Sequence, residues 1–589
     1  MLTDEQSAIV TAAATDRQLV TAGPGTGKTH TLVARLAHLV DNQGLAPGGV
    51  LALSFSRAAV GELRRRLRSS DSEAAAIRPV TFDSFATRVL ADVDPDGQWS
   101  TESFDGRIAQ AIERIDDFAE FLEEIDYLCV DEVQDLVSVR MRFVRALLAK
   151  LDVGFILLGD PAQGIYDFSL ADGETSEEHG SPAFYRWIRS SMADTLVESR
   201  LTINHRAKSQ AAKDACALGP TVEVDPSTAG SDLFEILEDS PKIPNLSFLG
   251  NSIDSGRTAI LCRNNGEALW VSKALDEIGI DHVVQRGAQN RMVAPWLARA
   301  CAVSQGGIVS KAKMERLLDL LNEEVPGAAP SIDEAWRPLR QMGRADASVD
   351  LDRVVTRLRT GGVPEELLLG QSAAVTVSTV HRAKGLEFER VVVIPDGWGP
   401  SFEDEDAKTL FVALSRTIDH LMHADLPALV GYLKKHSYAD RWTYTSYKSW
   451  PKAMEIVRDD VATLDPPKGD GGCVETQRLL WEEVRPGDPV ELRFDRALIG
   501  SPGAIYDVVW KDKVIASMSD EFGRTLLSVI KYAKNWSYPK RITGLRVDGV
   551  RSIGGDQLVT NQLGLGTGGA WLSPSLSGLG HFEYDKKGQ

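Results

Sequence analysis

The segment 22–29, AGPGTGKT, constrains the fold of this chain more than any other feature. It follows a short apolar, strand-like stretch, and Leu32, Leu36 and Leu39 come after it at helical spacing. A glycine-rich turn between a strand and a helix lets backbone N–H groups point at phosphate oxygens, and the helix start adds the positive end of its dipole. The sequence therefore predicts a phosphate-binding loop in an α/β domain.

Individual residues of this loop have distinct expected roles. Lys28 is expected to reach the β- and γ-phosphates of ATP, and the Thr29 hydroxyl is expected to hold Mg²⁺. Ala22 stands where the strict pattern has a glycine, and its small side chain fits the same place. The backbone expected to wrap the phosphates belongs to Gly23, Gly25, Thr26 and Gly27.

Two carboxylates follow an apolar strand at 127–130, in the string YLCVDEVQD. Ligand sites in α/β sheets lie at the carboxyl ends of the strands, so Asp131 is expected to coordinate Mg²⁺. Glu132 is expected to act as the general base that orients the attacking water. After a second apolar strand, the string GDPAQGIYDF carries Gln163, which is positioned to sense the γ-phosphate.

Tyr166 and Phe168 lie two residues apart in the same string. Exposed aromatic rings after a strand stack on nucleic acid bases, which contributes ~1–3 kcal/mol per base. Aromatic residues at this spacing also occur in protein cores, so the pair is either a base-stacking platform or part of the interior.

The chain has 589 residues, a net charge of −19 and five widely separated cysteines. This length predicts about three or four domains. No apolar run is long enough to cross a bilayer and no CxxC pair is present, so we expect neither a membrane protein nor a zinc or disulfide framework. A reducing cytoplasm is the expected location. The acidic balance disfavours broad coating of nucleic acid but allows a narrow basic channel.

The ordered series of strings resembles the UvrD/Rep-type superfamily 1 DNA helicases. The phosphate loop, DEVQD and GDPAQGIYDF correspond to motifs I, II and III of that family. The further matching strings are LTDEQ (2–6), LALSFSRAA (51–59), VTFDSF (80–85), LTINHR (201–206), STVHRAKGLEF (378–388) and TLFVALSR (409–416).

The resemblance implies roles for residues far from the loop. Gln6 would read adenine, and Arg206 and Arg416 would be arginine fingers that reach the γ-phosphate. Glu387, beside Gly385, would contact the nucleotide ribose. The residues implied to contact DNA are Phe55, Phe82, Thr379 and His381, together with the aromatic pair of motif III.

The chain departs from the family pattern at three positions. The family often sandwiches adenine between an Arg and a Tyr, where this chain has His30 and His205. These imidazoles either stack on the base or face solvent; stacking would give a weak or pH-sensitive KM for ATP. Asp83 stands where the family usually has a His, and an ionised carboxylate cannot donate to a phosphate.

The expected fold is α/β: two RecA-like lobes with small helical insertions and a C-terminal β-rich domain. The first lobe is expected at 1–195 with a minimal helical insert at about 91–124. The second lobe is expected at 196–290 and 371–445, around a helical insert at 291–370. A Pro/Gly-rich linker at 464–472 precedes the expected β-rich domain at 470–589, whose last stretch, LGLGTGGAWLSPSLSGLGHF, reads partly as loop.

The β-rich domain contains the string KYAKNWSYPKR (531–541), in which cations alternate with Tyr532, Trp536 and Tyr538. Such a mixture suits nucleic acid, and it also suits a helix end with core aromatics or a protein-docking surface.

The expected function is that of an ATP-dependent single-stranded DNA translocase or DNA helicase of 3′–5′ polarity, acting in DNA repair, recombination or antiviral defence. Its expected cofactors are ATP and Mg²⁺, its expected partners are single-stranded or partly duplex DNA, and a protein partner would bind the C-terminal domain. The alternative is a DNA- or protein-activated ATPase that remodels a partner, such as a nuclease or RNA polymerase, without processive unwinding. Stimulation of ATP hydrolysis by single-stranded DNA discriminates the two.

Overall fold

The computed structural model describes residues 2–94, 99, 103–166, 170, 173–251, 256–285, 292–361, 363–369, 373–396, 398–399, 402–429, 431–446, 450–498, 502–531 and 537–584. The chain divides into two compact units. Unit 1 comprises residues 1–242, 383–393 and 397–423, and unit 2 comprises residues 243–382, 394–396 and 424–589. Within the described part of the chain, no helix is long and apolar enough to cross a membrane.

Unit 1 contains a six-stranded parallel sheet with the strand order β3-β2-β4-β5-β1-β6. Its strands are β1 (Arg17–Ala22), β2 (Val50–Ser54), β3 (Val80–Thr81), β4 (Tyr127–Val130), β5 (Gly154–Gly159) and β6 (Leu196–Leu201). The helices of this part of the chain are α1 (Asp4–Thr11), α2 (Lys28–Asp41), α3 (Arg57–Ser69), α4 (Phe82–Val93), α5 (Phe104–Glu113), α6 (Ala119–Glu123), α7 (Ser138–Lys150), α8 (Ser176–His179), α9 (Ser181–Ser191), α10 (Gln210–Ala217), α11 (Gly219–Val224) and α12 (Pro226–Glu238).

The central strands of this sheet are apolar because helices cover both of its faces. All residues of β2, β4 and β5 are buried, as expected for a parallel sheet between two helical layers. Neighbouring residues of one strand point to opposite faces: Leu19 packs into one hydrophobic core and Val20 into the other. The order of these strands positions the ends of β1, β4 and β5 side by side.

The next segments contribute β7 (Thr258–Cys262), α13 (Asn265–Glu277) and β8 (Val283–Val284) to unit 2. The region 291–370 is largely helical: α14 (Pro295–Ser304), β9 (Ile308–Val309), α15 (Lys311–Glu324), α16 (Ile332–Gly343), β10 (Arg344–Ala345), β11 (Ser348–Asp350) and α17 (Leu351–Thr360). Strand β12 (Val375–Thr379) then pairs in parallel with both β7 and β8 and leads into α18 (Val380–Ala383). Unit 1 resumes with β13 (Phe388–Val393), α19 (Asp404–Leu414) and β14 (Thr417–His423), and β13 and β14 pair in parallel.

The C-terminal part of unit 2 is an eight-stranded antiparallel sheet with the order β15-β16-β17-β22-β21-β18-β19-β20. Its elements are β15 (Tyr432–His436), β16 (Arg441–Thr445), β17 (Pro451–Ile456), α20 (Gly472–Glu482), β18 (Pro489–Ala497), β19 (Ala504–Trp510), β20 (Lys513–Ser517), α21 (Asp520–Ile530), β21 (Arg541–Gly554), α22 (Gln557–Gln562) and β22 (Ala570–Glu583). The mixed α/β fold with parallel sheets and a C-terminal β-rich region confirms the expected fold class.

Several boundaries differ from those expected. Strand β6 pairs with β1, so the first sheet extends beyond residue 195. The antiparallel sheet starts at Tyr432, well before residue 470. The 464–472 segment packs on this sheet: the Gly469 N–H donates to Thr476 Oγ1 at 2.9 Å, and a Cβ at Gly469 would lie 1.9 Å from the Val514 carbonyl oxygen. The stretch expected to be partly loop is irregular over residues 563–569, as predicted, and then forms most of β22, a 14-residue strand.

The helical region and the antiparallel sheet share one hydrophobic core. Leu297 and Met314 of the helices belong to the same buried cluster as Met454, Leu572 and Leu576 of the strands. The 291–370 region is therefore packed on the β-rich region and forms part of one folded body with it.

Candidate functional site

The phosphate loop occupies the turn between β1 and α2 in unit 1. Gly25 and Gly27 have φ values of 72° and 85°, a left-handed conformation that glycine adopts without strain. The Thr26 hydroxyl donates to the Gly23 carbonyl oxygen at 2.8 Å and closes the turn. Helix α2 begins at Lys28, so the free N–H groups of its first turn, including that of Thr29, are available to an anion.

Gln6 lies against this loop. Its side chain and that of Thr3 form a capping box at the start of α1, which fixes the Gln6 amide. Gln6 Nε2 donates to the Thr26 carbonyl oxygen at 3.1 Å, and the residue is 3% exposed. The sequence motif at 2–6 and the loop are thus neighbours in space.

Asp131 and Glu132 follow the end of β4, next to Lys28. Lys28 Nζ lies 3.2 Å from Glu132 Oε2, and the Gln134 amide also donates to that oxygen. Glu132 has a φ of 59°, an uncommon conformation for a residue with a side chain, which places strain at this position. The Glu132 N–H donates to Asp131 Oδ1 at 3.0 Å, which fixes the Asp131 carboxylate beside the Glu132 backbone.

Burial sets the charge balance of this site. It raises the pKa of Asp131, and the Glu132 charge raises it further. Burial opposes ionisation of Glu132 as well, but Lys28 and Lys384 lower its pKa and keep it a carboxylate. Burial also raises the pKa of Asp160 and that of Asp135, the latter to about 6. A divalent cation bound beside these groups would favour the ionised forms of the carboxylates whose pKa burial raises.

Gln163 connects the end of β5 to Arg416. Gln163 Nε2 donates to Asp160 Oδ2 at 2.6 Å, and its Oε1 accepts from Arg416 Nη2 at 2.8 Å. Arg416 is 3% exposed, and its Nε donates to the Val412 carbonyl oxygen at 3.0 Å. Burial and the nearby Arg206 lower the pKa of Arg416 to about 10.

Arg206 lies beside the same group of residues. Its Nη1 donates to Glu387 Oε1 at 2.7 Å, and its Nη2 donates to the Ser415 carbonyl oxygen at 2.6 Å. Because Ser415 precedes Arg416, the two arginines are joined through adjacent backbone. The structure thus brings Arg206, Arg416 and Glu387 together within unit 1, the unit that holds the phosphate loop.

Asn204 fastens the Arg206 segment to the loop, a contact that the motif reading did not identify. Asn204 Nδ2 donates to the Pro24 carbonyl oxygen, and its Oδ1 accepts from the Arg206 and Ala207 N–H groups, each at 2.8 Å. A Cβ at Gly25 would lie 2.8 Å from Asn204 Oδ1, so glycine permits this approach. Asn204 lies in the string LTINHR. The only sign of this contact in the sequence is that an asparagine side chain can both donate and accept a hydrogen bond.

Lys384, in the string STVHRAKGLEF, is a second residue that the motif reading missed. Its Nζ donates to Asp135 Oδ1, and to the Gln163 carbonyl oxygen at 2.7 Å. The same Nζ lies 4.8 Å from the ring centroid of Tyr166. The Lys384 and Asp135 side chains are 7% and 6% exposed. One buried lysine therefore contacts the segment after β4, the segment after β5 and the aromatic residue that follows.

Phe55 and Tyr166 form a stacked pair of half-buried rings. Their centroids are 5.2 Å apart and their planes differ by 27°. Arg140 lies over the Phe55 ring at 5.5 Å. Lys384 lies near the Tyr166 ring, so the pair has a cation on each side; we call Phe55 and Tyr166 the aromatic platform. Phe168, the other aromatic residue of the motif, lies outside the described residues.

Phe82 does not reach the surface, which corrects its expected place among the DNA contacts. It is 2% exposed and packs in the core of unit 1, because it occupies the first position of α4 with its ring turned inwards. A ring enclosed in the core cannot stack on a base. The neighbouring Asp83 accepts from Arg107 Nε at 2.9 Å, so an ion pair occupies the position where the family usually has a His.

The remaining predicted residues lie in several parts of the structure, and only some of them are near the phosphate loop. His30 follows Lys28 and Thr29 on α2, and His205 donates its backbone N–H to the Gly25 carbonyl oxygen at 2.9 Å; both histidines are exposed. Gly385 precedes Glu387 in unit 1 with a φ of 79°. Thr379 and His381 lie in unit 2, at the end of β12 and in α18. Of the string 531–541, Tyr532 and Trp536 lie outside the described residues, while the Tyr538 ring stacks on Phe494 at 5.9 Å.

The donor set suits Mg²⁺ bound together with phosphate better than a metal site formed by protein alone. No group of three or more His, Cys, Asp or Glu side chains among the described residues is arranged to hold a metal ion. Mg²⁺ typically takes one or two carboxylates, waters and substrate phosphates. Asp131 and the Thr29 hydroxyl beside the loop fit that pattern.

Comparison with known proteins gives matches over both motif-bearing regions. The family model for the UvrD/REP helicase N-terminal domain matches residues 2–105 and 100–181, and that for the UvrD-like helicase C-terminal domain matches residues 374–422. The ATP-dependent DNA helicase UvrD2 of Mycobacterium tuberculosis is 24% identical over 542 residues, which cover 68% of this chain and 75% of the relative. The ATP-dependent DNA helicase PcrA of Leuconostoc citreum is 40% identical over 74 residues, 12% of this chain and 10% of the relative.

Among solved structures, the Pif1 helicase from Candida albicans aligns with a TM-score of 0.36 and 14% identity, over 73% of this chain and 95% of that one.

Proposed function

Because family models for the N-terminal and the C-terminal domains of UvrD-like helicases both match this chain, we propose that it is a superfamily 1 helicase that hydrolyses ATP to move along single-stranded DNA. The observation that carries this proposal is the convergence of Lys28, Glu132, Gln163 and Arg416 in one unit. These residues are spread over nearly 400 positions of the chain, yet they provide the charges that phosphoryl transfer needs.

In the proposed reaction, the loop backbone and Lys28 bind the phosphates, and Asp131 and Thr29 would hold Mg²⁺. When bound, the metal would neutralise negative charge on the phosphates. Glu132 orients the attacking water and accepts its proton, for which its low pKa keeps it ionised. Arg206 and Arg416 stabilise charge that develops on the γ-phosphate; comparable arginines are worth ~10³–10⁵ in rate in other nucleotide hydrolases. Asn204 keeps the Arg206 backbone in register with the loop.

Lys384 supplies the proposed connection between hydrolysis and DNA. It contacts Asp135 and the Gln163 carbonyl oxygen on the ATP side and the Tyr166 ring on the other. A shift of Gln163 on loss of the γ-phosphate would alter this lysine's contacts, and through them the Phe55–Tyr166 platform. We propose 3′–5′ movement, and translocation rather than processive unwinding, since the helical insert of unit 1 is limited to α5, α6 and a few adjoining residues.

The test is ATP hydrolysis with and without a single-stranded oligonucleotide. We expect stimulation of about tenfold or more, and Glu132→Gln should still bind ATP while losing turnover by about 10² or more, because the proton acceptor is gone. Glu62→Gln, an exposed carboxylate that pairs with Arg65 on α3, is the matched control and should behave like the unaltered protein.

Normal turnover of the Glu132→Gln protein would refute the assigned base. ATP hydrolysis that no DNA stimulates would refute the translocase and favour an ATPase that remodels a protein partner. On a tailed duplex substrate, movement towards the 5′ end of the strand that carries the single-stranded tail would support the proposed polarity.

A further inference from the structure

A groove lined with arginines lies along α16 and the start of β10 in unit 2, outside the residues assigned to ATP or to the aromatic platform. Its volume is about 570 Å³, and the residues that line it are Trp336, Arg337, Arg340, Gln341 and Arg344. Residues 336–345, WRPLRQMGRA, contain three arginines and no acidic residue, in a chain with a net charge of −19. Such a local excess of positive charge marks a surface that binds an anionic partner.

The three cations border one groove from two consecutive elements. Arg337 and Arg340 lie three residues apart on α16 and so share one helix face, while Arg344, the first residue of β10, follows the end of that helix. Arg337 and Arg344 are exposed, and Arg340 is half-buried. Guanidinium groups that line one groove can contact phosphates of one strand, each through two hydrogen bonds.

These arginines are not neutralised by neighbouring acids among the described side chains, where no carboxylate lies within ion-pair distance of any of the three. The two acidic residues of α16 are engaged elsewhere: Asp333 pairs with Lys311 at 2.8 Å, and Glu334 closes the capping box with Ser331. Most arginines of the antiparallel sheet, by contrast, are paired, as Arg493 is with Glu491 and Asp512.

The structure holds the groove in place through Arg340. Arg340 Nη2 donates to the Asp346 carbonyl oxygen at 2.7 Å and Arg340 Nε is buried, so the exposed Arg337 and Arg344 provide the accessible donors. Trp336 packs partly against the core of unit 2, which holds the start of the groove rigid. Gln341 adds a neutral amide that can donate to a phosphate or sugar oxygen.

We propose that this arginine groove binds the phosphate backbone of DNA, as a contact separate from the aromatic platform. The inference rests on the proposed function only in taking DNA as the nucleic acid. Phosphate contacts are independent of base sequence and weaken with salt, with a slope in log affinity of about 0.9 per phosphate neutralised on duplex and about 0.7 on a single strand. The groove therefore contributes affinity and orientation rather than sequence specificity.

The experiment measures DNA binding by fluorescence anisotropy, without nucleotide, from about 50 to about 300 mM KCl. The probes are a single-stranded oligonucleotide, a blunt duplex and a tailed duplex. Arg337→Ala/Arg344→Ala is compared with Arg357→Ala/Arg359→Ala, which removes two exposed arginines from α17 outside the groove. We expect the groove variant to bind at least one probe about tenfold more weakly and to lower its salt slope by between about 1 and about 2.

Loss on the duplex probes would assign the groove to duplex, and loss on the single strand would assign it to that strand; either supports the proposal. Equal affinity and salt slope for the groove and control variants would overturn it. Polyglutamate that competes as well as an oligonucleotide of equal charge would overturn it in favour of an acidic protein partner. Absence of DNA-stimulated hydrolysis in the unaltered protein would count against the proposed function alone, since binding is measured without ATP.

Discussion

At the scale of single residues, burial distinguishes two aromatic side chains to which the family resemblance gives the same expected role. Phe55 lies half-buried on the surface of unit 1, stacked on Tyr166, whereas Phe82 is enclosed in the core. Both residues follow strand-like segments in matching motifs, so the sequence alone treats them alike. Burial separates a ring that can meet a base from one that only stabilises the fold.

The two phenylalanines should therefore respond differently to truncation. We expect Phe82→Ala to lower the free energy of unfolding by about 3–5 kcal/mol, the usual cost of emptying a buried phenylalanine site. Phe55→Ala should cost less stability and should lower DNA-stimulated ATP hydrolysis while leaving the basal rate unchanged. Denaturant unfolding and ATPase assays on both variants provide the measurement. A Phe82→Ala protein of normal stability with impaired DNA stimulation would contradict the core assignment.

At the scale of elements, the ends of β4 and β5 and the segment before β13 are held together by the Lys384–Asp135 ion pair. Asp135 has a pKa raised to about 6 by burial, although Lys384 opposes the shift. The carboxylate that accepts from Lys384 therefore predominates above pH 6 and is lost as the pH falls through that value. Asp135 is therefore a titratable group in the contacts that join the proposed ATP site, through Lys384, to Tyr166.

This link predicts an acid limb in the pH profile. We expect DNA-stimulated turnover to fall by about half near pH 6 and further below it, because protonation of Asp135 removes the ion pair. Asp135→Asn should give a low stimulation with a smaller pH dependence between pH 5.5 and 8, and Lys384→Met should reproduce its level; the remaining pH dependence belongs to Asp131, whose pKa burial also raises. Rates at saturating ATP are the measurement. A profile of the unaltered protein that stays flat through pH 6 would contradict the role given to this pair.

Much of the candidate site follows from the sequence because short local patterns specify it. The glycine turn before α2, the carboxylates after β4 and Gln163 after β5 all occupy strand ends, where parallel sheets place their ligands. Asn204 and Lys384 were not predicted, although both lie inside recognised strings. Their importance depends on partners about 180 and 250 positions away, and spacing along the chain carries no information about such contacts.

The sequence predicts both kinds of sheet, but it does not predict which segments belong to each. The strand β6, LVESRL, is an exposed edge strand, so its polar residues gave no sign that it joins the first sheet. Strand β22 contains glycine, serine and proline, residues that usually indicate loops, yet its backbone pairs with β21 and β17. In both segments, pairing with strands that are distant in the chain determines the strand conformation and overrides the local sequence propensity.

At the scale of the whole molecule, the helices of 291–370 and the strands from Tyr432 onwards share a single core. The range 470–589 omits β15, β16 and β17, including Met454 and Ile456 of that core, and it also lacks the covering helices. A fragment of this range exposes apolar surface on the sheet and leaves the β17 side of β22 unpaired.

A fragment spanning 470–589 should consequently fail to fold on its own. We expect no cooperative thermal unfolding transition and marked aggregation, because the burial that stabilises the sheet is missing. Co-expressed fragments 292–369 and 424–589 restore the shared core and should copurify with a single transition. Circular dichroism melts test both. A sharp melt of the 470–589 fragment alone would show that the helices and the first three strands are dispensable.

The position of β22 also has a consequence for biosynthesis. This strand lies between β17 and β21 in the sheet but is translated after both of them. Until it leaves the ribosome, β15–β17 and β18–β21 are two incomplete sheets with open edges, and the helices made earlier have only part of their partner surface. Slow translation or delayed release just before Ala570 would therefore prolong an aggregation-prone intermediate, whereas the parallel sheet around the phosphate loop has all six of its strands by Leu201.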